Sequence, residues 1–152
     1  MSNDTIRPMR RDDLPAAEAV IAGVDLFPPE LLAGMAAPFL DGADELWLVV
    51  EGGGGVAHAA PERLTDGTWN LLLLAVDPAR QGRGLGRRLV AAVETALKAT
   101  GTRLLLVETS GVPEFGGQRR FHGKLGFQRE ARIRDYYQAG EDKVIFVKAL
   151  SV

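Results

Sequence analysis

The stretch that decides the fold runs from Trp69 to Gly86. It reads Trp-Asn-Leu-Leu-Leu-Leu-Ala-Val (Trp69–Val76) and continues Asp-Pro-Ala-Arg-Gln-Gly-Arg-Gly-Leu-Gly (Asp77–Gly86). The nearly continuous apolar run is typical of a strand buried on both faces at the centre of a sheet. The glycines at three alternate positions let the backbone curl so that several N–H groups converge on one anion, and the helix that follows adds the positive end of its dipole. The sequence therefore predicts a strand, a phosphate-binding loop and a helix.

Two familiar phosphate loops do not fit the spacing of these glycines. A Walker A loop ends in Gly-Lys-Ser/Thr, whereas this chain has Gly86-Arg87-Arg88, without the lysine for the phosphates or the hydroxyl for magnesium. A dinucleotide-binding fingerprint needs its third glycine three positions after the second, where this chain has Arg87. What remains is the pattern Gln-x-x-Gly-x-Gly, formed by Gln81, Gly84 and Gly86.

A second motif lies in the C-terminal part of the chain and reads Phe-His-Gly-Lys-Leu-Gly-Phe (Phe121–Phe127). Together with Gln81-x-x-Gly84-x-Gly86 it resembles the GNAT superfamily of N-acetyltransferases, whose first motif binds acyl-CoA and whose second ends a helix as aromatic-Tyr-x-x-x-Gly-Phe. The resemblance covers roughly residues 5–150. It departs from the family pattern at His122, where most members carry tyrosine.

The resemblance implies both a fold and an activity. The expected fold is α+β, with a mixed, mostly antiparallel sheet of about six to seven strands, a splayed parallel pair and about four flanking helices, in a single domain over residues 1–152. The expected activity is transfer of an acetyl group from acetyl-CoA to a primary amine of a small molecule, directly and in a ternary complex. Acetyl-CoA would be a co-substrate, and no metal is expected.

Composition narrows the class of protein and of partner. Hydrophobic residues make up 46% and charged residues 25% of the 152 residues, as in ordinary soluble globular domains. The formal net charge of -2 gives no electrostatic case for nucleic acid or an anionic membrane as a partner. Without cysteine a cysteine acyl-enzyme is excluded, and the two histidines lie in no carboxylate pattern that favours a metal site. The sequence shows no signal peptide or membrane span, so we expect a cytoplasmic protein, with a homodimer as one possible assembly.

The hydrophobic pattern places the neighbouring elements. Large apolar residues recur every four positions after the loop and predict an amphipathic helix. Residues 104–108 then return as a second buried strand, which must run parallel to the first because a helix connects them. Pro61 cannot donate to a ladder, so we expect the strand from Val56 to Thr65 to bulge at Pro61 or to lie at a sheet edge. The four glycines Gly52–Gly55 are interpreted as a turn, because a strand rather than a helix follows them.

The resemblance also implies where the acyl carrier lies. In the family, the strands that end here near Val76 and Glu108 splay apart, and the pantetheine arm pairs with the open backbone as an added strand would. The expected coenzyme-binding residues combine this segment with the loop. They are Leu74, Ala75, Val76, Gln81, Gly82, Arg83, Gly84, Leu85, Gly86 and Arg87.

Transfer to an amine needs one group that takes the proton of the amine and another that protonates the leaving thiolate. Glu108 is the first candidate base because it ends the strand that lines the splay, with Glu62 and Glu51 as alternatives. His122 occupies the position of the usual tyrosine acid and keeps a proton donor there, although it can also be a structural residue that packs beneath the cofactor. Tyr137 is a further candidate donor, since alternation along a strand lets only one of two adjacent tyrosines face the site.

Two rival functions use the same loop. A CoA-binding module with weak or lost catalysis is motivated by His122 and by Gln118, where similar bacterial sequences often carry threonine. A nucleotide-binding protein is the other rival, and it predicts stabilisation by ATP or NAD equal to that by acetyl-CoA.

Overall fold

The computed structural model describes residues 5–150, which form a seven-stranded sheet flanked by four helices. The strands are β1 (Ile6–Pro8), β2 (Leu46–Val50), β3 (Gly55–Pro61), β4 (Thr68–Val76), β5 (Leu104–Ser110), β6 (Gln128–Gln138) and β7 (Glu141–Ala149). The helices are α1 (Leu14–Val24), α2 (Leu32–Leu40), α3 (Leu85–Ala99) and α4 (Gly116–Lys124).

The strands are arranged in the order β1-β2-β3-β4-β5-β7-β6. Neighbouring strands of the described chain run antiparallel except β4 and β5, which are parallel and are joined through α3. The expected α+β fold, with its mixed and mostly antiparallel sheet, is therefore confirmed. The apolar run that opens the decisive stretch forms β4, the middle strand.

Each face of the sheet supports its own hydrophobic core. On one face, α3 packs its apolar stripe against residues of β2 to β5 and β7. On the other face, α1 and α2 pack against Trp47 and Val49 of β2 and against neighbouring residues of β3 and β4. The predicted four-residue repeat of α3 is fully realised, because these side chains are almost completely buried. They are Leu85, Leu89, Val93 and Leu97.

The prediction for Pro61 was wrong, and the actual irregularity lies elsewhere. Pro61 is the last residue of β3, an interior strand, and pairs regularly with Trp69. The ladder between β3 and β4 instead shifts by one residue between His58 and Ala59, which pair with Leu73 and Leu71. One extra residue, Leu72, therefore forms a β-bulge in β4.

The bulge changes the face of the sheet to which the side chains of β4 point. In a regular strand every second side chain points to the same face of the sheet. A single inserted residue reverses this alternation, so the odd-numbered residues before and after Leu72 point to opposite faces. Trp69 and Leu71 lie in the core beneath α3, whereas Leu73 and Ala75 lie in the core beneath α1 and α2. Leu72 itself is left 55% exposed.

Candidate active site

The central parallel strands separate into a fork. β4 and β5 pair from Thr68 with Leu104 up to Leu71 with Val107, where their register ends. Beyond this point β4 continues to Val76 on the β3 side, while β5 continues to Ser110 on the β7 side. The bulge at Leu72 follows directly after the last pair, so the fork begins where the β4 backbone bends. Along the β5 side of residues 72–76, β4 therefore presents peptide groups as the edge of a sheet does.

One of these peptide groups already has a side-chain partner. Nε2 of Gln81 donates to the carbonyl oxygen of Val76 at 3.2 Å. This contact ties the first residue of the glycine motif to the end of β4. The loop is thereby held next to the open end of the fork.

The glycine-rich loop borders a cavity of about 600 Å³. Gly82 and Gly84 have φ of +83° and +80°, in the left-handed region, and a Cβ atom at either residue would meet nothing within 4 Å. A ligand can therefore approach the bare backbone of the loop. α3 starts at Leu85, and the first N–H groups of a helix have no partner within it.

Eight of the ten expected coenzyme-binding residues line this cavity. They are Leu74, Val76, Gln81, Gly82, Gly84, Leu85, Gly86 and Arg87. Ala75 instead packs into the core beneath α1 and α2 and borders a neighbouring cavity of about 320 Å³. Arg83 is exposed outside the lining.

Sequence reasoning missed the contribution of α4 to this wall. Gly117, Gln118 and Phe121 complete the lining of the large cavity. The spacing of Gln118, Phe121 and His122 is the helical spacing of a single face, and that signal was available in the sequence. Gln118, Phe121 and His122 border a second cavity, which lies at the fork itself.

The cavity at the fork, of about 220 Å³, brings together side chains from both faces of the sheet. Glu108 and His122, two of the three expected catalytic residues, both line it. The strands contribute Leu71, Leu72, Leu73, Leu74, Val107 and Thr109, and the surroundings contribute Leu26, Phe115, Gln118 and Phe121. Since Val107 belongs to the α3 core and Glu108 projects to the opposite face, this cavity connects the two sides of the sheet.

His122 is buried in an aromatic environment. Its ring lies 5.4 Å from that of Phe121, 5.8 Å from that of Phe127 and 5.9 Å from that of Phe146. Burial lowers the pKa of His122 below its ordinary value of 6.5, so the imidazole is neutral at pH 7. Nδ1 is buried and has no hydrogen-bond partner within residues 5–150.

Glu108 is held by a lysine. Nζ of Lys143 lies 3.0 Å from Oε1 of Glu108 and 4.0 Å from the centre of the Tyr136 ring. Burial disfavours the charged form of Lys143, but hydrogen bonds with Glu108 and Tyr136 outweigh it and raise the pKa of the ammonium above its ordinary value. The carboxylate at the fork is therefore one half of an ion pair.

Tyr137, the third expected catalytic residue, lies outside the lining of the fork cavity. It is 45% exposed on β6, and its ring packs edge-on against Tyr136 at 5.0 Å. Partial burial raises the pKa of its hydroxyl, which is therefore protonated at neutral pH. The alternative bases, Glu62 and Glu51, do not line the fork cavity. Glu62 accepts a hydrogen bond from Asn70, and Glu51 lies 3.8 Å from Arg7.

The expected turn covers Gly52–Gly54, while Gly55 is already the first residue of β3. These glycines also leave space for neighbouring side chains. Nη1 of Arg80 donates to the carbonyl oxygen of Gly53 at 3.0 Å. A Cβ atom on Gly54 would lie 2.7 Å from the Arg80 side chain, and one on Gly55 would lie 2.9 Å from Leu89. The absence of a side chain at Gly54 therefore leaves space for Arg80 beside the start of the glycine-rich loop.

Neither a membrane span nor a metal centre is found among residues 5–150. None of these helices combines the length and apolarity needed to cross a bilayer. Histidine and carboxylate side chains in the same part of the chain do not gather into a group able to hold a metal ion.

Comparison with known protein families identifies the family to which the chain belongs. Residues 42–129, from the turn before β2 through α4 into β6, match the family model described as acetyltransferase (GNAT) domain. This chain belongs to the GNAT family of acetyltransferases. The match contains the fork, the glycine loop and α3, so the GNAT assignment rests on the residues that build the site.

Individual relatives of this GNAT chain agree in fold. A crystal structure of a GNAT-family protein from Desulfovibrio desulfuricans superposes with a TM-score of 0.87 at 31% identity, over 96% of this chain and 98% of that one. The ribosomal-protein-S18-alanine N-acetyltransferase of Escherichia coli superposes with a TM-score of 0.77 at 25% identity, over 98% and 95% of the two chains. Mycothiol acetyltransferase of Kineococcus radiotolerans is 35% identical over 107 residues, which make up 70% of this chain. The chain spans about a third of that curated relative, with 34% of its length matched.

Proposed function

We propose that this GNAT protein is an acetyl-CoA-dependent N-acetyltransferase that moves an acetyl group to the primary amine of a small molecule, by direct transfer in a ternary complex. The observation that carries the proposal is the continuity of the two cavities. The cavity at the glycine loop shares Leu74, Gln118 and Phe121 with the cavity that reaches Glu108. One ligand can therefore extend from the loop into the fork while a second approaches from the opposite face of the sheet.

The residues at the loop suit the diphosphate of coenzyme A. Gly82 and Gly84 present backbone without side chains, and the first turn of α3 adds N–H groups and the positive end of its dipole. Arg87 in the lining adds a guanidinium charge. A volume of about 600 Å³ is in the usual range for small-ligand pockets.

The open edge of β4 suits the amide-containing arm of the same molecule. An extended chain that carries amides pairs with an exposed sheet edge through main-chain hydrogen bonds. We assign this pairing to Leu74, Ala75 and Val76. A main-chain N–H of the same segment would face the carbonyl oxygen of the thioester, and one such donor contributes about 10²–10³ in rate.

Acetyl-CoA, when bound, supplies a thioester with an acyl carbon open to attack by an amine. The transfer forms a carbon–nitrogen bond and breaks the carbon–sulfur bond, so one proton must leave the amine and one must reach the sulfur. We assign the first proton to Glu108, which lines the fork from the face opposite to α3. The absence of cysteine is consistent with direct transfer.

We assign the second proton to His122. Its depressed pKa makes it a neutral donor rather than an imidazolium acid at pH 7. Because Nδ1 is enclosed and has no partner in the described part of the chain, Nε2 is the nitrogen left to meet a ligand. Tyr137 is the second candidate for this step, and it would have to reach the fork from β6.

The test is the release of free CoA from acetyl-CoA with a panel of amines, for the wild type and for two variants. We expect Glu108→Gln to lower kcat and to shift its pH profile, because the proton acceptor is lost. His122→Phe keeps the ring volume and should lower kcat by up to about 10²-fold if His122 is the donor. Wild-type turnover that Glu108→Gln leaves unchanged at every pH would remove Glu108 from the mechanism.

Ligand binding and thermal stabilisation, measured beside the CoA-release assay, separate the two rival functions. Tight binding of acetyl-CoA without turnover of any amine would favour a CoA-binding module with lost catalysis. Thermal stabilisation by ATP or NAD equal to that by acetyl-CoA would favour a nucleotide-binding protein. We expect stabilisation by acetyl-CoA and by free CoA only.

A further inference from the structure

Building on the proposed function, we propose that the acceptor is a free α-amino acid with an apolar side chain. Glu108 would hold its ammonium group, Lys143 its carboxylate, and Leu26 and Leu72 its side chain. This assignment concerns the acceptor side of the fork only, so it can fail while the transferase function stands.

The ion pair lies on the face of the sheet opposite to α3, from which the acceptor approaches in the proposed function. In the antiparallel register of β5 and β7, Glu108 pairs with Ile145 and Ser110 pairs with Lys143, so these side chains share one face. The next residue along, Thr109, pairs with Val144, which lies in the core beneath α3. Glu108 and Lys143 therefore face away from α3.

Stability alone is a weak reason to keep a covered ion pair at this place. Only 11% of the Lys143 side chain and 29% of the Glu108 side chain are exposed, and their charged atoms are 3.0 Å apart. Desolvation of two charges cancels most of their attraction, and apolar replacements of such pairs often leave proteins equally or more stable. Glu108 lines the fork cavity, and Lys143 reaches that cavity only through its contact with Glu108. A covered pair with one member at a cavity is better explained by a ligand with charges of its own.

The two charges match the charges of an amino acid. An ammonium and a carboxylate carried on one carbon can meet Glu108 and Lys143 at the same time, because opposite charges stand side by side on both partners. The Lys143 ammonium has three donors, and among residues 5–150 it meets one carboxylate, that of Glu108, together with the Tyr136 side chain. A simple amine or the N-terminus of a peptide would bring no α-carboxylate to Lys143.

The apolar residues beside the ion pair suit the side chain of the amino acid. Leu26 and Leu72 line the same cavity as Glu108, and they are 51% and 55% exposed. Large apolar side chains left open at a cavity favour an apolar ligand group, since covering them removes apolar surface from water. Leu72 is the bulged residue, so the group it contacts lies directly at the fork.

The test uses a matched set of three acceptors that differ only at the carboxylate: L-leucine, L-leucinamide and 3-methylbutylamine. We expect kcat/KM for leucine to exceed that for the amide and the amine at least tenfold. We expect Lys143→Met to bring this ratio close to one, and Lys143→Arg to retain most of it. Lys148→Met is the control, because Lys148 also forms a 3.0 Å ion pair on β7, with Glu94, beneath α3. It should leave the ratio unchanged.

The wild type alone can overturn the inference, so the test does not depend on the folding of any variant. Leucinamide or 3-methylbutylamine used as well as leucine, or no turnover of any of the three, would overturn it. A preference for leucine that survives in Lys143→Met would overturn the role of Lys143. The transferase function falls only if a wider panel of alkylamines, polyamines and peptides also releases no CoA.

Discussion

Nη1 of Arg119 on α4 donates a 2.6 Å hydrogen bond to the carbonyl oxygen of Ser110, the last residue of β5. The same nitrogen lies 2.9 Å from the carbonyl oxygen of Val112, in the connection that follows. The Arg119 side chain therefore holds α4, the helix that carries Gln118, Phe121 and His122, against the C-terminal end of β5.

Arg119→Met removes this anchor and leaves two partly buried carbonyl oxygens without a charged donor. We expect the free energy of unfolding to fall by about 1–3 kcal/mol. Arg120→Met on the neighbouring exposed residue is the control and should stay within about 0.5 kcal/mol. Urea unfolding measures both, and equal losses in the two variants would contradict the anchoring role.

Gly84→Val should weaken the binding of acetyl-CoA at least about tenfold, or 1.4 kcal/mol, because a β-branched side chain would stand on the backbone that the diphosphate approaches. Gly101→Val is matched to it, since Gly101 has φ +81° against +80° for Gly84, and a Cβ at either meets nothing within 4 Å. Gly101 follows the far end of α3, so this variant carries the same backbone strain without obstructing the loop. Titration calorimetry compares the two, and equal Kd values would count against the loop as the diphosphate site.

Gly54→Ala should destabilise the protein more than Gly42→Ala does. Both glycines have similar left-handed φ, +103° and +99°, so both variants carry backbone strain. Only the new Cβ at residue 54 meets a neighbour, at 2.7 Å from the Arg80 side chain, and such overpacking adds about 1–3 kcal/mol. Thermal unfolding measures the difference, and indistinguishable Tm values would show that Arg80 moves aside without cost.

The stability of the fold should decrease as the pH falls below about 6.5, the ordinary pKa of histidine. Burial lowers the pKa of both His58 and His122 in the folded protein, so the unfolded chain binds protons first as the pH falls. Stability is full above pH 6.5 and is lost toward the depressed folded pKa values, with a slope of at most about 1.4 kcal/mol per pH unit for each histidine. The hydrogen bond with Arg7 also lowers the pKa of Asp13, but the stability that this contributes is lost only as the pH falls below about 4.

The measurement is urea unfolding at pH 7.5 and pH 5.5 for the wild type and for His122→Phe. We expect the variant to lose less stability between the two pH values than the wild type does. An identical loss would mean that His122 takes up its proton equally well in the folded and the unfolded chain.

Local sequence pattern predicted the loop that borders the large cavity. Three alternate glycines lie between an apolar strand and an amphipathic helix and define the loop. Glycine adopts left-handed backbone readily and leaves the main chain open to a ligand, and few other residues do both. The register of β4 and β5 agrees with a splay of the strands, which was expected from family resemblance rather than from residue spacing. The role of Gly54 as space for Arg80 is a tertiary contact between segments 26 residues apart, and no local pattern marks it.

The bulge at Leu72 was beyond the reach of the sequence. Leu71–Leu74 are four identical residues, so the run contains no alternation from which an inserted position can be located. Pro61 offered an explicit chemical reason for an irregularity, and it proved to be the end of a regular strand instead. The pairing of Glu108 with Lys143 was equally hidden, since it depends on the register between β5 and β7.

The one-residue bulge has a consequence for the way the molecule unfolds. Trp69 and Leu71 are embedded under one layer of helices, and Leu73 and Ala75 under the other, all within a single strand of nine residues. In a strand without the bulge these four residues would all point to one face, so the bend is what divides them between the two cores. We therefore expect removal of β4 to disrupt both helical layers together, in a single unfolding transition.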